Sequence, residues 1–161
     1  MKTILNNNIT RIAAAMFLSL TSLFAEPYEK GQKVESFQAK DQHDQAFTFK
    51  PAETRFLLVT HDMDTGKKAN AVLTTLGKDH LSNNKAIYLA NIHGMPGIGR
   101  AFALPKMRKY AHRIILGDDA ALIARFPVQA GKVSILKLRN SRVVSVQYWS
   151  PGVDALDPLL K

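Results

Sequence analysis

The chain has 161 residues, 46% of them hydrophobic, which is enough to build one domain with a real core. It carries a formal net charge of +9 at pH 7 and no cysteine. The missing cysteine excludes disulfides, thiolate nucleophiles, dithiol exchange and thiolate metal sites in one step.

Residues 1–25 have the pattern of a secretory signal peptide. Lys2 and Arg11 give a positive start, residues 12–24 are mostly apolar, and Ala25 offers a cleavage position, although Leu23 at −3 is large for one. The apolar run falls short of the ~20 residues that span a bilayer, so cleavage and a periplasmic destination are expected over an uncleaved membrane anchor. Residues 26–161 then form a single domain, with no internal repeat and no later stretch of membrane-spanning character.

Within that domain, residues 31–50 read as an entry segment (Val34, Phe37), a polar turn at Asp41-Gln42-His43-Asp44 and a short hairpin strand, Phe47-Thr48-Phe49, ended by Pro51. Phe56 to Val59 is an apolar run of strand length. It leads through Thr60-His61-Asp62-Met63-Asp64-Thr65-Gly66 into a helix over about 66–80, whose Ala69, Val72, Leu73 and Leu76 share one face. Asp64 or Thr65 is the expected cap of that helix. After a polar connection at Ser82-Asn83-Asn84, Ala86 to Ile92 is a second buried strand.

Arg100 to Leu104 is helical in pattern, and Pro105, which lacks an amide donor, predicts a break and a second short helix ending near Tyr110. Arg113 to Leu116 forms a third strand, with Asp118 capping a helical turn over 119–125. Val133–Leu138 and Val143–Tyr148 pair across Arg139-Asn140-Ser141-Arg142, and 153–160 closes the chain as a short helix. Strands joined by helices imply parallel pairing, and the late hairpin implies an antiparallel edge. The fold class is α/β.

This order resembles the thioredoxin fold in its redoxin form. Gly31-x-x-Val34-x-x-Phe37 and Asp41-Gln42-x-x-Gln45-x-Phe47 are similar to the redoxin opening, and Phe56 to Lys68 takes the place of the redox strand, loop and helix. The resemblance implies a three-layer thioredoxin-like sandwich: a mixed sheet with an N-terminal hairpin extension and a C-terminal antiparallel hairpin. It also implies that Asp64, Thr65, Gly66 and Lys67 occupy the redox-motif positions, and that Lys132 stands where a cis-proline belongs, Pro127 being too early. The segments 41–47 and 102–110 further resemble a family of small exported bacterial proteins sometimes labelled FAD/FMN-containing dehydrogenases.

Three kinds of chemistry have candidates. Gly94-Met95-Pro96-Gly97-Ile98-Gly99 follows a strand and opens a helix, with Asp118 after the next strand, as in a dinucleotide site built from Gly94, Gly97, Gly99 and Asp118 for FAD, FMN or a nicotinamide. The spacing is G-x-x-G-x-G rather than G-x-G-x-x-G, and Pro96 removes an amide donor, so an ordinary glycine-rich helix entry is the simpler reading. His61, Met63, His93 and Met95 end neighbouring strands and offer imidazole and thioether ligands that suit copper, or else serve as loop and packing residues. His61, Asp62 and Asp64 form a nominal acid–base group, although helix capping explains such carboxylates more simply.

The basic surplus gathers at Arg100, Lys106, Arg108, Lys109, His112 and Arg113 and again at Lys137, Arg139 and Arg142. It suits an anionic membrane surface or an acidic partner, or a solvated face. No nucleic-acid motif is present. The expectation is a non-catalytic binding or accessory module in the cell envelope, taking an envelope protein or small ligand at residues 60–67 and 93–99. A flavin- or nicotinamide-dependent oxidoreductase and a periplasmic copper-binding protein are the alternatives.

Overall fold

Phe56–Thr60 forms strand β3, and all five residues are buried, because neighbouring strands and covering layers enclose it on every side. The computed structural model describes residues 26–161, so the expected signal peptide, residues 1–25, lies outside the described residues. Six further strands complete one sheet: β1 (Gln38–Asp41), β2 (Ala46–Thr48), β4 (Ala86–Asn91), β5 (Ile115–Gly117), β6 (Val133–Arg139) and β7 (Arg142–Trp149). Their order is β2-β1-β5-β4-β3-β6-β7. β3 pairs in parallel with β4 and β4 with β5, while the β1–β2 and β6–β7 hairpins pair antiparallel.

Strand pleating sends alternate side chains of β3 to opposite faces. Phe56 and Leu58 join one core with Ala69, Leu73 and Tyr88, beneath helix α1 (Met63–Leu76) and the four-residue helix α2 (His80–Asn83). Leu57 and Val59 join a second core with Val34, Phe49 and Phe126, beneath the entry segment and α4 (Ala120–Ala124). The result is the expected three-layer mixed α/β sandwich.

Several boundaries differ from expectation for identifiable reasons. α1 starts at Met63, because Asp62 rather than Asp64 or Thr65 is the cap: it accepts from Thr65 N at 2.8 Å and Thr65 Oγ1 at 2.7 Å. It stops at Gly77, whose φ of 95° ends the helix, and α2 takes up part of the remaining segment. Asp119, not Asp118, caps α4 by accepting from Leu122 N at 2.7 Å.

Helix α3 runs unbroken over Gly97–Met107 with Pro105 inside it. The proline lies in the last turn, where losing one amide bond interrupts little that follows. The closing segment is helical only over Asp157–Leu160, as a 3-10 turn. Before it the chain folds back so that Trp149 Nε1 donates to Asp154 O at 2.8 Å. Between β6 and β7, Asn140 (φ 50°) and Ser141 (φ 62°) are both left-handed, which suits the twist of a two-residue hairpin.

Candidate functional site

The carboxyl ends of β3 and β4 and helices α1 and α3 enclose a cleft of about 250 Å³. Its floor is polar and buried: Tyr88 OH lies 3.3 Å from Thr60 Oγ1, and Asn70 projects from α1 beside them. Burial raises the Tyr88 phenol well above its usual range, so it is neutral at any physiological pH. The walls are largely apolar, with Met63, Met95, Phe102 and Met107, and Lys67 and Lys106 also line the cleft.

Gly66 lies on the floor between Thr60 and Tyr88. A Cβ there would stand 3.9 Å from Thr60 Oγ1 and 3.9 Å from the Tyr88 hydroxyl, within space that the glycine leaves open. At the rim, burial pushes the Asp62 carboxyl up, but its bonds from the Thr65 amide and hydroxyl prevail and hold it below the usual carboxylate range. Asp62 is therefore an ionised helix cap, not a general acid.

Behind the floor, His112 Nε2 lies 2.9 Å from Asn70 Oδ1, and its ring stacks on Tyr110 with centroids 5.4 Å apart. Burial lowers the His112 pKa to about 4. The backbone carbonyl of His112 accepts from Gln42 Nε2 at 2.8 Å, and Gln42 Oε1 accepts from Ile114 N at 2.9 Å. The side chain of Gln42 thereby continues the pairing of β1 with β5.

The structure divides the residues nominated from sequence. Met63, Met95, Gly66, Lys67 and Gly99 line the cleft, whereas His61, His93, Gly94, Gly97, Asp118, Asp64, Thr65 and Lys132 do not. His61 faces the other way: its Nε2 lies 3.2 Å from Pro127 O and 3.4 Å from Ser134 Oγ. Burial lowers its pKa against that carbonyl contact. His93 is exposed, held through its backbone amide by Asn91 Oδ1 at 2.9 Å. The expected pairing of two histidines with two methionines therefore does not form around the cleft; a third thioether, Met107, stands with Met63 and Met95 instead. Among the described residues no three or more His, Cys, Asp or Glu side chains are grouped so that they could hold a metal ion.

At the glycine loop, one group a dinucleotide would use is engaged elsewhere and another is missing. Asp118 is gripped by both terminal nitrogens of Arg100, a bond that holds its carboxyl below the usual range and occupies the oxygens a ribose would need. Arg100 also donates to Met95 O and Ile92 O, at 3.1 Å each, so this ion pair fastens the loop to the start of α3. Pro96, at the helix cap, supplies no amide and no side-chain bond. The cleft is smaller than the ~300–1,000 Å³ usual for small-molecule sites, and a flavin dinucleotide would lie mostly outside it.

Asn70 and Tyr88 were not nominated from sequence, and Phe102, Lys106, Met107, Tyr110 and His112 stood out there only in a family-like segment or in the basic surplus, not as parts of this cleft. One signal was available: Asn70 is a polar residue on the buried face of α1, next to Ala69 and one turn before Leu73. The others come together only through the crossover from β4 to α3.

No family model and no curated protein matches the chain. Solved structures do. A thio-disulfide isomerase from Thermus thermophilus is 20% identical with a TM-score of 0.51, over 82% of this chain and 92% of that one. A peroxiredoxin-like protein from Aquifex aeolicus is 10% identical with a TM-score of 0.53, over 84% and 86%. The thioredoxin domain of a thiol-disulfide oxidoreductase from Bacteroides vulgatus is 8% identical with a TM-score of 0.52, over 83% and 99%. At these identities the likeness establishes the fold alone. The chain thus has a thioredoxin-like, redoxin-type fold and no cysteine.

Proposed function

We propose that this protein is an exported accessory module of the cell envelope that binds a small, mainly apolar ligand, or the apolar side chain of a partner, in the cleft between α1 and α3. The observation that carries the reading is the composition of the cleft. Apolar walls enclose a floor of hydroxyl and amide groups at the strand ends where α/β folds place ligands, and no sulfur nucleophile is present. Such a site can desolvate an apolar group and orient it by a few hydrogen bonds, and with no cysteine in the chain it offers no thiol for disulfide exchange. Lys67 and Lys106 favour a ligand whose exposed end is anionic.

Titration with octanoate, followed in amide nitrogen–proton spectra, tests the reading. Shifts confined to residues 60–67, 88–92 and 95–107, reduced in Gly66→Ala, are expected. Shifts elsewhere, or none, refute it. Export is tested separately by fractionation, which should place a chain shortened by about 25 residues in the periplasm.

A second reading, a soft-metal carrier, is favoured by Met63, Met95 and Met107 lining one cleft, since thioethers select Cu(I). Competition of the protein with a Cu(I) chelator, compared with the triple leucine variant, tests it. Equal retention of copper by the two proteins removes it.

A further inference from the structure

We propose that a second site, a basic groove at the opposite end of the sheet from the cleft, binds an extended acidic segment of a partner protein. The groove lies at the amino ends of the parallel strands β3 and β4 and encloses about 1120 Å³, above the ~300–1,000 Å³ of a small-molecule pocket. Six cations line it: Lys50, Arg55, Lys78, Lys85, Arg113 and Arg139. Its one carboxylate, Glu53, is 3.2 Å from Lys50, and Arg113 is 2.9 Å from Asp41. Arg55, Lys78, Lys85 and Arg139 have no ion-pair partner among the described residues.

The backbone sets three of these four side by side. Arg55 N donates to Lys85 O at 2.8 Å, and Leu138 N donates to Arg55 O at 2.8 Å, which brings Lys85, Arg55 and Arg139 together from three distant parts of the sequence. Like charges lining one groove repel one another, and an anion relieves that repulsion. Arginine forks match carboxylates in geometry as well as in charge.

Lys85 adds an independent observation. It has a φ of 51°, just past the end of α2, a position where glycine adopts the backbone without steric cost. A glycine would serve the turn better; the lysine contributes a charge to the groove.

Shape selects among anions. A flat bilayer cannot reach the floor of a concavity, whereas an extended peptide can, and half-buried Phe47 and Ile87 in that floor suit its apolar side chains. The occupant is thus a strand-like segment that mixes carboxylates with apolar residues.

Fluorescence anisotropy of a fluorescein-labelled oligoglutamate with the full chain tests the site. Binding that weakens with salt is expected. Lys85→Gly and Arg139→Ala should each weaken it roughly two- to fivefold, while Lys30→Ala and Lys109→Ala, exposed lysines elsewhere, should leave it unchanged. The melting temperature of Lys85→Gly should equal or exceed that of the wild type, which separates lost binding from lost folding. The proposal is overturned if oligoglutamate does not bind, if all four variants weaken it equally, or if Lys85→Gly and Arg139→Ala bind as the wild type does. It is also overturned if phosphatidylglycerol vesicles capture the protein through Lys85 and Arg139 more tightly than the peptide does.

Discussion

Asn70 Oδ1 lies 2.9 Å from His112 Nε2, while the other ring nitrogen of His112 is buried with no hydrogen-bond partner among the described residues. One nitrogen is therefore satisfied by α1, and the other has no acceptor for a second proton. Neutral imidazole fits this place, and imidazolium does not.

The first prediction concerns pH. With a folded pKa of about 4 against an unfolded value near 6.5, the unfolded chain binds more protons between those limits. Stability is fully present above pH 6.5 and falls as the pH drops toward 4, by about 3 kcal/mol at most. His61, also lowered, adds to the same slope. Urea melts across this window should be steeper in pH for the wild type than for His112→Phe. Parallel curves would exclude His112 as the origin.

Gly66→Ala should stabilise the fold and impair the cleft. Alanine favours a helix over glycine by about 1 kcal/mol, and the added methyl meets Thr60 and Tyr88 at ordinary contact distance. A higher melting temperature together with weaker octanoate binding is the expected pair of results.

The two helix caps can be told from their neighbours. Asp62→Ala and Asp119→Ala should each cost about 1 kcal/mol, because each removes an acceptor of a free helix amide. Asp64→Ala, whose exposed carboxylate only meets Lys67, should change stability by less than about 0.5 kcal/mol in denaturant melts.

Pro105→Ala should lengthen the useful part of α3. The substitution restores an amide donor in the last turn and relieves the ring against the preceding turn, for a gain of about 1 kcal/mol. Greater helical ellipticity and a higher urea midpoint are expected.

Much of the fold is legible in the sequence because β3, β4 and the β6–β7 hairpin are apolar runs bounded by polar turns, a pattern that needs no knowledge of neighbours. Errors concentrate where adjacent residues compete for one role: Asp62 against Asp64, and Asp118 against Asp119. Either carboxylate can cap a helix, and only the chain path decides which one does. The cleft is half legible. Gly66 and Lys67 follow from the strand-to-helix junction, but Met107 and Tyr110 arrive through α3, and His112 is linked to Asn70 across 42 residues. The basic groove is legible only in part: Arg113 and Arg139 belong to clusters visible in the sequence, whereas Arg55 and Lys85 stand apart and join Arg139 only across strand pairing. Buried Asp41 and Gln42 are similar: their partners Arg113 and Ile114 lie 72 residues away.

No residue of α3 is buried, and Ile98 and Phe102 along it are 74% and 68% exposed. Besides the contact of Met107 with the core, what fastens this helix is a guanidinium at each end: Arg100 on Asp118, and Arg108 on Asp44 and the Gln42 carbonyl. One wall of the cleft is thus moored by ionic ties instead of being embedded. Its amide protons should exchange with solvent well before those of β3 and β4, and added salt should quicken that exchange, making the aperture of the cleft a quantity that ionic strength adjusts.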